Sequence, residues 1–535
     1  MQEFDYVVVG AGSAGCVLAN RLSANPSMRV ALLEAGGRDT NPWIHIPVGY
    51  YRNISNPNIT WQYASGPEPH LGGRMVNWPR GKVLGGTSAI NGLVYIRGQG
   101  QDYDVWRQLG CIGWSFEDVL PYFRRAEDQS RGADDFHGQG GPLGVSDLQL
   151  DNPICDAFIA AAVAAGIPHT RDFNGPSQEG VGYYQLTNRN GRRCSTAVGY
   201  LKPVRSRSNL VIITHFEAER LMLDGKRVAG VAGRQDGRPS EIKATREVIL
   251  AAGAIGSPQI LELSGIGDPQ RLKAAGVEPR HELKGVGENL QDHYQSRFIY
   301  QLDGRGSLNE VWHSPLLKMR HGLEYLLRRT GLLTLGAGTV GVFAKSDPSL
   351  ETPDVQFHFI PLSADGPGKG LHPFPGVISS VCQLRPESRG YIHITSPDAK
   401  AKPSIVSNYL ASETDRRVLL RAMRLNRHIV AQKPFSDLLV REHLPGFHVT
   451  SDDELLGFAK ANGTTIFHPC GTARMGTDAM AVVDPTLKVH GLAGLRVVDA
   501  SIMPTVPSGN TNAPVVMIAE KASDMIIADR SRASG

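Results

Sequence analysis

The segment Gly10-Ala11-Gly12-Ser13-Ala14-Gly15 constrains the fold of this chain more than any other. It follows the apolar, β-branched run Phe4 to Val9 and precedes Cys16 to Leu22, where apolar residues recur at helical spacing. A second apolar run, Arg29 to Leu33, ends at Glu34, nineteen residues beyond Gly15. Strand, glycine turn, helix and strand within about thirty residues describe a β-α-β unit that holds a dinucleotide. Gly10 permits the tight turn, Gly12 lets the backbone approach a pyrophosphate, and Gly15 lets helix and strand pack closely. The first N–H groups of the helix are free for phosphate oxygens, and a carboxylate at Glu34 can accept from ribose hydroxyls.

Further buried-strand patterns occur at Glu247 to Leu250, running into Ala251-Ala252-Gly253, and at Leu495 to Val498, before Asp499. Helical spacing marks Asp156 to Ala165, Arg416 to Val430, Asp453 to Ala461 and Ala513 to Ile527. Between about 296 and 465, stretches such as Val355 to Ile360 and Tyr391 to Thr395 alternate, which suggests an antiparallel sheet. The expected fold is mixed α/β: a Rossmann-like dinucleotide-binding domain from segments 1–154, 190–295 and 466–535, and a substrate-binding domain from 155–189 and 296–465. Glycine supports this, with sixty in 535 residues, against roughly 37 at the usual ~7%.

A net charge of +4 is too mild and too evenly spread for a nucleic-acid partner. The six cysteines form no C-x-x-C pair and fit neither a disulfide framework nor a zinc site. No basic, apolar and cleavable leader opens the sequence, and no apolar run approaches 18 residues. A cytoplasmic protein with reduced thiols is expected. Neither H-E-x-x-H nor another clustered ligand set is visible, so no metal is expected.

Residues 81–92 read GKVLGGTSAING, a small-residue loop suited to lie against a flat ligand, and 253–267 read GAIGSPQILELSGIG. Both resemble the signature segments of the glucose–methanol–choline oxidoreductase family, FAD enzymes acting mainly on alcohols. FHGQGGPL at 136–143, VGENLQDH at 286–293, HPCGTARMG at 468–476 and VVDASIMPTVPSGNTNAPVVMIAE at 497–520 resemble further family segments. The resemblance assigns cofactor contacts to Gly10, Gly12, Ser13, Ala14, Gly15, Glu34 and Ala35 in the first unit. In the 81–92 region it assigns Val83, Gly85, Gly86, Asn91, Gly92 and Val94. Near the C-terminus it assigns Asp499, Ala500, Asn510 and Asn512. Some relatives attach FAD through a histidine just before the asparagine of the 81–92 loop; here that residue is Ile90, so non-covalent FAD is expected.

Among seventeen histidines, the resemblance selects His468 as the general base for an alcohol hydroxyl. It puts a histidine or asparagine forty-odd residues later; Asn512 stands forty-four residues on, able to donate to the substrate oxygen but not to take its proton. Asn510 and Asn512 could instead be turn formers, Asp499 a helix cap, and His293 and His358 ordinary structural histidines. The implied reaction oxidises a primary alcohol to an aldehyde, with hydride passing to flavin N5 and electrons onward to a quinone or other carrier. Aliphatic alcohols or polyethylene glycol ends lead as substrates; choline dehydrogenation, oxidase activity with oxygen, and FAD-containing hydroxynitrile lyase chemistry are the alternatives. A quinone carrier would bring peripheral membrane contact at the inner face. The last helix is apolar in part, and its first turns are expected to pack on the flavin domain.

Overall fold

A computed structural model describes residues 2–304, 306–366 and 369–533, with the side chains of 530–533 left aside. Its first sheet centres on Gln2–Val9, parallel to Val30–Leu33 on one side and to Arg238–Leu250 on the other. Leu210–Ile213 extends it beyond Val30–Leu33, and Leu495–Val497 runs parallel to the end of Arg238–Leu250. The early half of that long strand turns into an antiparallel meander with Arg227–Gln235 and Phe216–Asp224. Val7, Val8, Val30, Leu32 and Ile249 are fully buried, as parallel strands covered on both faces require. The helix Ser13–Leu22 packs against Asn512–Ala533, whose residues Ala513 to Ala522 are buried. The last helix is therefore a core element. Five parallel strands end at one edge, four of them at Gly10, Glu34, Ala251 and Val498, and an open α/β sheet binds its ligand at such an edge.

The second sheet is antiparallel throughout, in the order Leu439–Leu444, Tyr294–Leu302, Gly376–Gln383, Val355–Ile360, Val340–Ala344, Gly180–Tyr183. Alternation along its central strands sorts two faces. Phe298, Tyr300, Val377, Phe357 and Phe359 pack with Phe158, Phe435 and Met423 from the covering helices. Gln295, Arg297, Ser380 and His358 face a large cavity between this sheet and the first. Tyr391–His393 is antiparallel as expected but, among the described residues, pairs only with Ser404–Val406. Its His393 lies 2.7 Å from Glu262 and 3.1 Å from Glu288, and these carboxylates tie it to the first domain rather than to the large sheet.

Candidate active site

The cavity holds about 460 Å³ and runs from the 10–14 turn to the 510–512 segment. Gly10 has φ +101°, and a Cβ there would meet the Ala251 carbonyl at 2.6 Å. A Cβ on Gly12 would find nothing closer than Gly86 at 4.0 Å; it would project into the space a pyrophosphate needs. Gly86 has φ +52°, and its Cβ would strike Gly12 Cα at 2.6 Å, so the 81–92 loop closes directly on the glycine turn. Glu34 is buried, and its carboxylate accepts from the N–H groups of Ala11 (3.0 Å) and Gly36 (2.8 Å). Burial pushes its pKa up to about 7. Two helix N-termini, those of Ser13–Leu22 and Asn512–Ala533, meet at the cavity, linked by the Ser13 hydroxyl donating to Asn512 Oδ1 at 2.8 Å. This elongated cradle, with a carboxylate at one end and two helix starts along it, fits a dinucleotide such as FAD.

Gly10, Gly12, Ser13, Ala14, Glu34 and Ala35 line the cavity. So do Gly86, Asn91, Gly92 and Val94, and, from the C-terminal segment, Asp499, Ala500, Asn510 and Asn512. Three expected contact residues stand behind the lining. Gly15 abuts the Gly10 carbonyl, Val83 packs with Ile44 and Ile90, and Gly85 donates its N–H to the Ala11 carbonyl at 2.8 Å. Asp499 spends its carboxylate locally: it accepts from Gly253 N–H (2.8 Å), the Ser257 hydroxyl (2.5 Å) and Ser501 N–H (2.8 Å). It acts as the helix cap weighed as the alternative. Arg193, unremarked in the sequence, is buried and donates to Ile44 and Ser88 carbonyls and to Asn91 Oδ1 (2.6 Å), which fixes the 81–92 loop.

His468 sits on the opposite wall. Its backbone N–H donates to Asp292 at 2.7 Å, and Asp292 also accepts from the hydroxyls of Thr465 and Tyr409. Burial raises Asp292 to about 6. The His468 Nδ1 lies 3.0 Å from Nδ1 of His293, whose Nε2 is 2.8 Å from the Leu384 carbonyl. On the other side, Nδ2 of Asn510 lies 3.1 Å from His468 Nε2. Gln356 donates to Asn510 Oδ1 at 3.2 Å, which orients the amide with its NH₂ toward the ring. Burial holds His468 well below the ordinary histidine range, reinforced by nearby His293, His358 and Arg80.

The spacing expectation therefore needs correction at one position. The amide beside His468 belongs to Asn510, while Asn512 opens the last helix and bonds Ser13. His293 and His358, read as ordinary structural histidines, both belong to the site: one holds the ring of His468, and the other lines the cavity next to Asn510. Sequence spacing also hid one group at the surface, Asp365, His372 and His443, whose candidate ligand atoms lie within 4.8 Å of one another.

The sequence model for the N-terminal part of GMC oxidoreductases matches residues 4–295, and the C-terminal one matches 386–519. An alcohol dehydrogenase [acceptor] of Pseudomonas putida is 42% identical over 98% of this chain and 96% of its own. An oxygen-dependent choline dehydrogenase of Chromohalobacter salexigens is 43% identical over 98% of this chain and 95% of its own. Among solved structures, pyridoxine 4-oxidase from Mesorbium loti superposes with a TM-score of 0.87 at 32% identity, covering 97% of this chain and 98% of that one. A formate oxidase gives 0.91 at 26% identity, covering 99% of each chain.

Proposed function

The chain belongs to the GMC oxidoreductases, enzymes whose relatives here act on alcohols, and from that premise we propose that it oxidises a primary alcohol to an aldehyde with non-covalently held FAD. The carrying observation is the chain of bonds Leu384 carbonyl, His293, His468, Asn510. A carbonyl only accepts, so His293 carries its proton on Nε2 and offers a lone pair at Nδ1. His468 then carries its proton on Nδ1, and its Nε2 lone pair, which accepts from the Asn510 amide here, is the one that turns to the substrate hydroxyl when alcohol enters. Bound FAD supplies the hydride acceptor. As the hydroxyl proton moves to His468 Nε2, the Asn510 amide donates to the oxygen it leaves, steadying alkoxide-like charge. Asp292 keeps the histidine backbone in place during this exchange. Ile90 offers the flavin no nucleophile, so acid precipitation should leave a colourless pellet.

Anaerobic addition of a primary alcohol tests the reaction: loss of the flavin band near ~450 nm is expected of the oxidised cofactor. Cyanohydrin cleavage without bleaching would instead mark a lyase.

The electrons go on to a carrier, a quinone in our reading, reached at a membrane surface. The support is the helix Pro315–Arg328, on which Leu316, Met319, Leu323, Leu326 and Leu327 are each 55–74% exposed. At helical spacing these five share one face, opposite the buried Tyr325. Lys318, Arg320 and Arg328 are exposed around it, a pattern suited to an anionic bilayer. No helix among the described residues is long and apolar enough to cross a membrane.

A further inference from the structure

The substrate side of the cavity contains a guanidinium with no acid to answer it. Arg297 lies on the strand Tyr294–Leu302 and lines the cavity. Across the sheet it pairs in register with Ser380, and Ser380 pairs with His358, forming one polar row across three strands. All three residues line the cavity. At about 4.8 Å between strands, Arg297 and His358 are roughly 10 Å apart at Cα. His358 lies beside Asn510, which touches His468, so the row leads from Arg297 to the reacting end.

Three other cations in or beside the cavity have partners. Arg80 donates to the Phe467 carbonyl (2.8 Å), Lys402 donates to the Gln62 carbonyl (2.6 Å), and Lys82 sits over the Trp61 ring. Tyr50 and Tyr51 also line the cavity and lie near enough to Arg297 to act on its charge, the Tyr51 hydroxyl donating to the Gly366 and Lys369 carbonyls, and burial lowers the Arg297 pKa. Among the described residues no carboxylate pairs with it. The acids that line the cavity, Glu34, Glu217 and Asp499, belong to the first domain, and Glu34 and Asp499 are spent on backbone and hydroxyl donors. A quaternary ammonium such as choline would meet a positive charge here and no acid. A carboxylate would meet a fork of N–H donors that matches its geometry, with two phenols beside it.

We propose that the primary alcohol taken by this cavity carries a carboxylate at its far end, held by Arg297, with Tyr50 and Tyr51 alongside. This deepens the alcohol-oxidation reading and rests on it. The class is an ω-hydroxycarboxylate, its CH₂OH end at His468 and its anionic end at Arg297.

The test uses the holoenzyme in two ways. ω-Hydroxycarboxylates of three to eight carbons, the matching unsubstituted alcohols and choline are assayed with an artificial dye. Separately, unreactive alkanoates and their uncharged amides are titrated by calorimetry. We expect kcat/KM for the best hydroxycarboxylate to exceed that of the matching alcohol at least tenfold. Arg297→Met should abolish that preference, mainly through a raised KM for the hydroxycarboxylates and by a much larger factor than any change for the neutral alcohols, while Arg297→Lys keeps part of it. Alkanoate binding should exceed amide binding and vanish in Arg297→Met. Equal binding of alkanoate and amide, a preference for choline, or an Arg297→Met effect shared by charged and neutral alcohols would overturn the proposal. If alkanoates bind through Arg297 but no alcohol bleaches the flavin, the anion site stands and the alcohol-oxidation reading fails.

Discussion

Nδ1 of His293 lies 3.0 Å from Nδ1 of His468, with the two rings nearly perpendicular at 87°. Two like nitrogens can bond only if one carries the proton and the other a lone pair, and the Leu384 carbonyl at the far side of His293 decides which. Burial pushes His293 down to about 4, so it stays neutral and keeps this polarity.

His293→Leu should therefore slow flavin reduction without emptying the cofactor site. The lost acceptor frees His468 to adopt the unproductive tautomer, and loss of such an orienting partner typically costs ~10–100-fold. His293→Gln, whose amide oxygen can accept, should recover part of the loss. Stopped-flow reduction rates at saturating alcohol, with flavin content measured in parallel, check this. Unchanged rates in His293→Leu would remove it from the mechanism.

The pH dependence follows from the lowered pKa of His468. Its neutral form is the base, and burial together with His293, His358 and Arg80 disfavours the imidazolium. A pKa below the ordinary value means the neutral form already dominates at pH 7. The limiting rate of flavin reduction should be flat through neutrality and fall only on acidification. A rise with a midpoint at pH 7 or above would show that the proton goes elsewhere.

Asn510 and Asn512 should separate two functions. Asn510→Ala removes the amide at His468 and should slow flavin reduction, while FAD stays bound. Removal of one preorganised donor costs about 10²–10³-fold in well-studied sites. Asn512→Ala breaks the link to Ser13 at the two helix starts and should weaken FAD retention more than the chemical step. His468→Ala should lose ~10²–10⁴-fold with flavin bound. Flavin-to-protein absorbance ratios and reduction rates distinguish the three variants.

Gly12 and Gly86 face each other but should fail differently. Gly86→Ala places a Cβ against Gly12 Cα at 2.6 Å in a left-handed conformation, so the loop must shift and stability should fall. Gly12→Val projects into the phosphate space and meets no protein atom at that Cβ closer than 4.0 Å. Its apoprotein should melt like the wild-type apoprotein but bind little FAD. Thermal melts of both apoproteins beside FAD titrations check the contrast.

What the sequence shows well is local. The 10–15 turn, Glu34 and the 81–92 loop are legible because turn, strand and helix carry their chemistry in consecutive residues. His293 was not, because its role depends on a strand start meeting a segment 175 residues later. Arg297 depends likewise on register: only pairing with Ser380 and His358 turns its alternation toward the cavity. The choice between Asn510 and Asn512 rests on where extended chain becomes helix, a boundary that motif spacing resolves only to a residue or two.

The exposed face of Pro315–Arg328 predicts binding to anionic vesicles. Five apolar side chains offer burial at the headgroup boundary, and each nearby Lys or Arg contributes about 1 kcal/mol at an anionic surface. Trp312 just precedes the helix and shares Arg52 with Trp43, while Arg52 adjoins the cavity residue Tyr51. Docking by this face would bring the cavity mouth toward the lipid, where a quinone resides. The holoenzyme should co-sediment with vesicles containing an anionic phospholipid and not with purely zwitterionic ones, and binding should weaken as salt screens the charges. Leu323→Glu with Leu327→Glu should abolish co-sedimentation while leaving turnover with a soluble dye intact, since neither residue touches the site. If the wild type ignores both kinds of vesicle and sediments as a dimer that this double substitution dissociates, the face belongs to a second copy of the chain and the membrane reading is wrong.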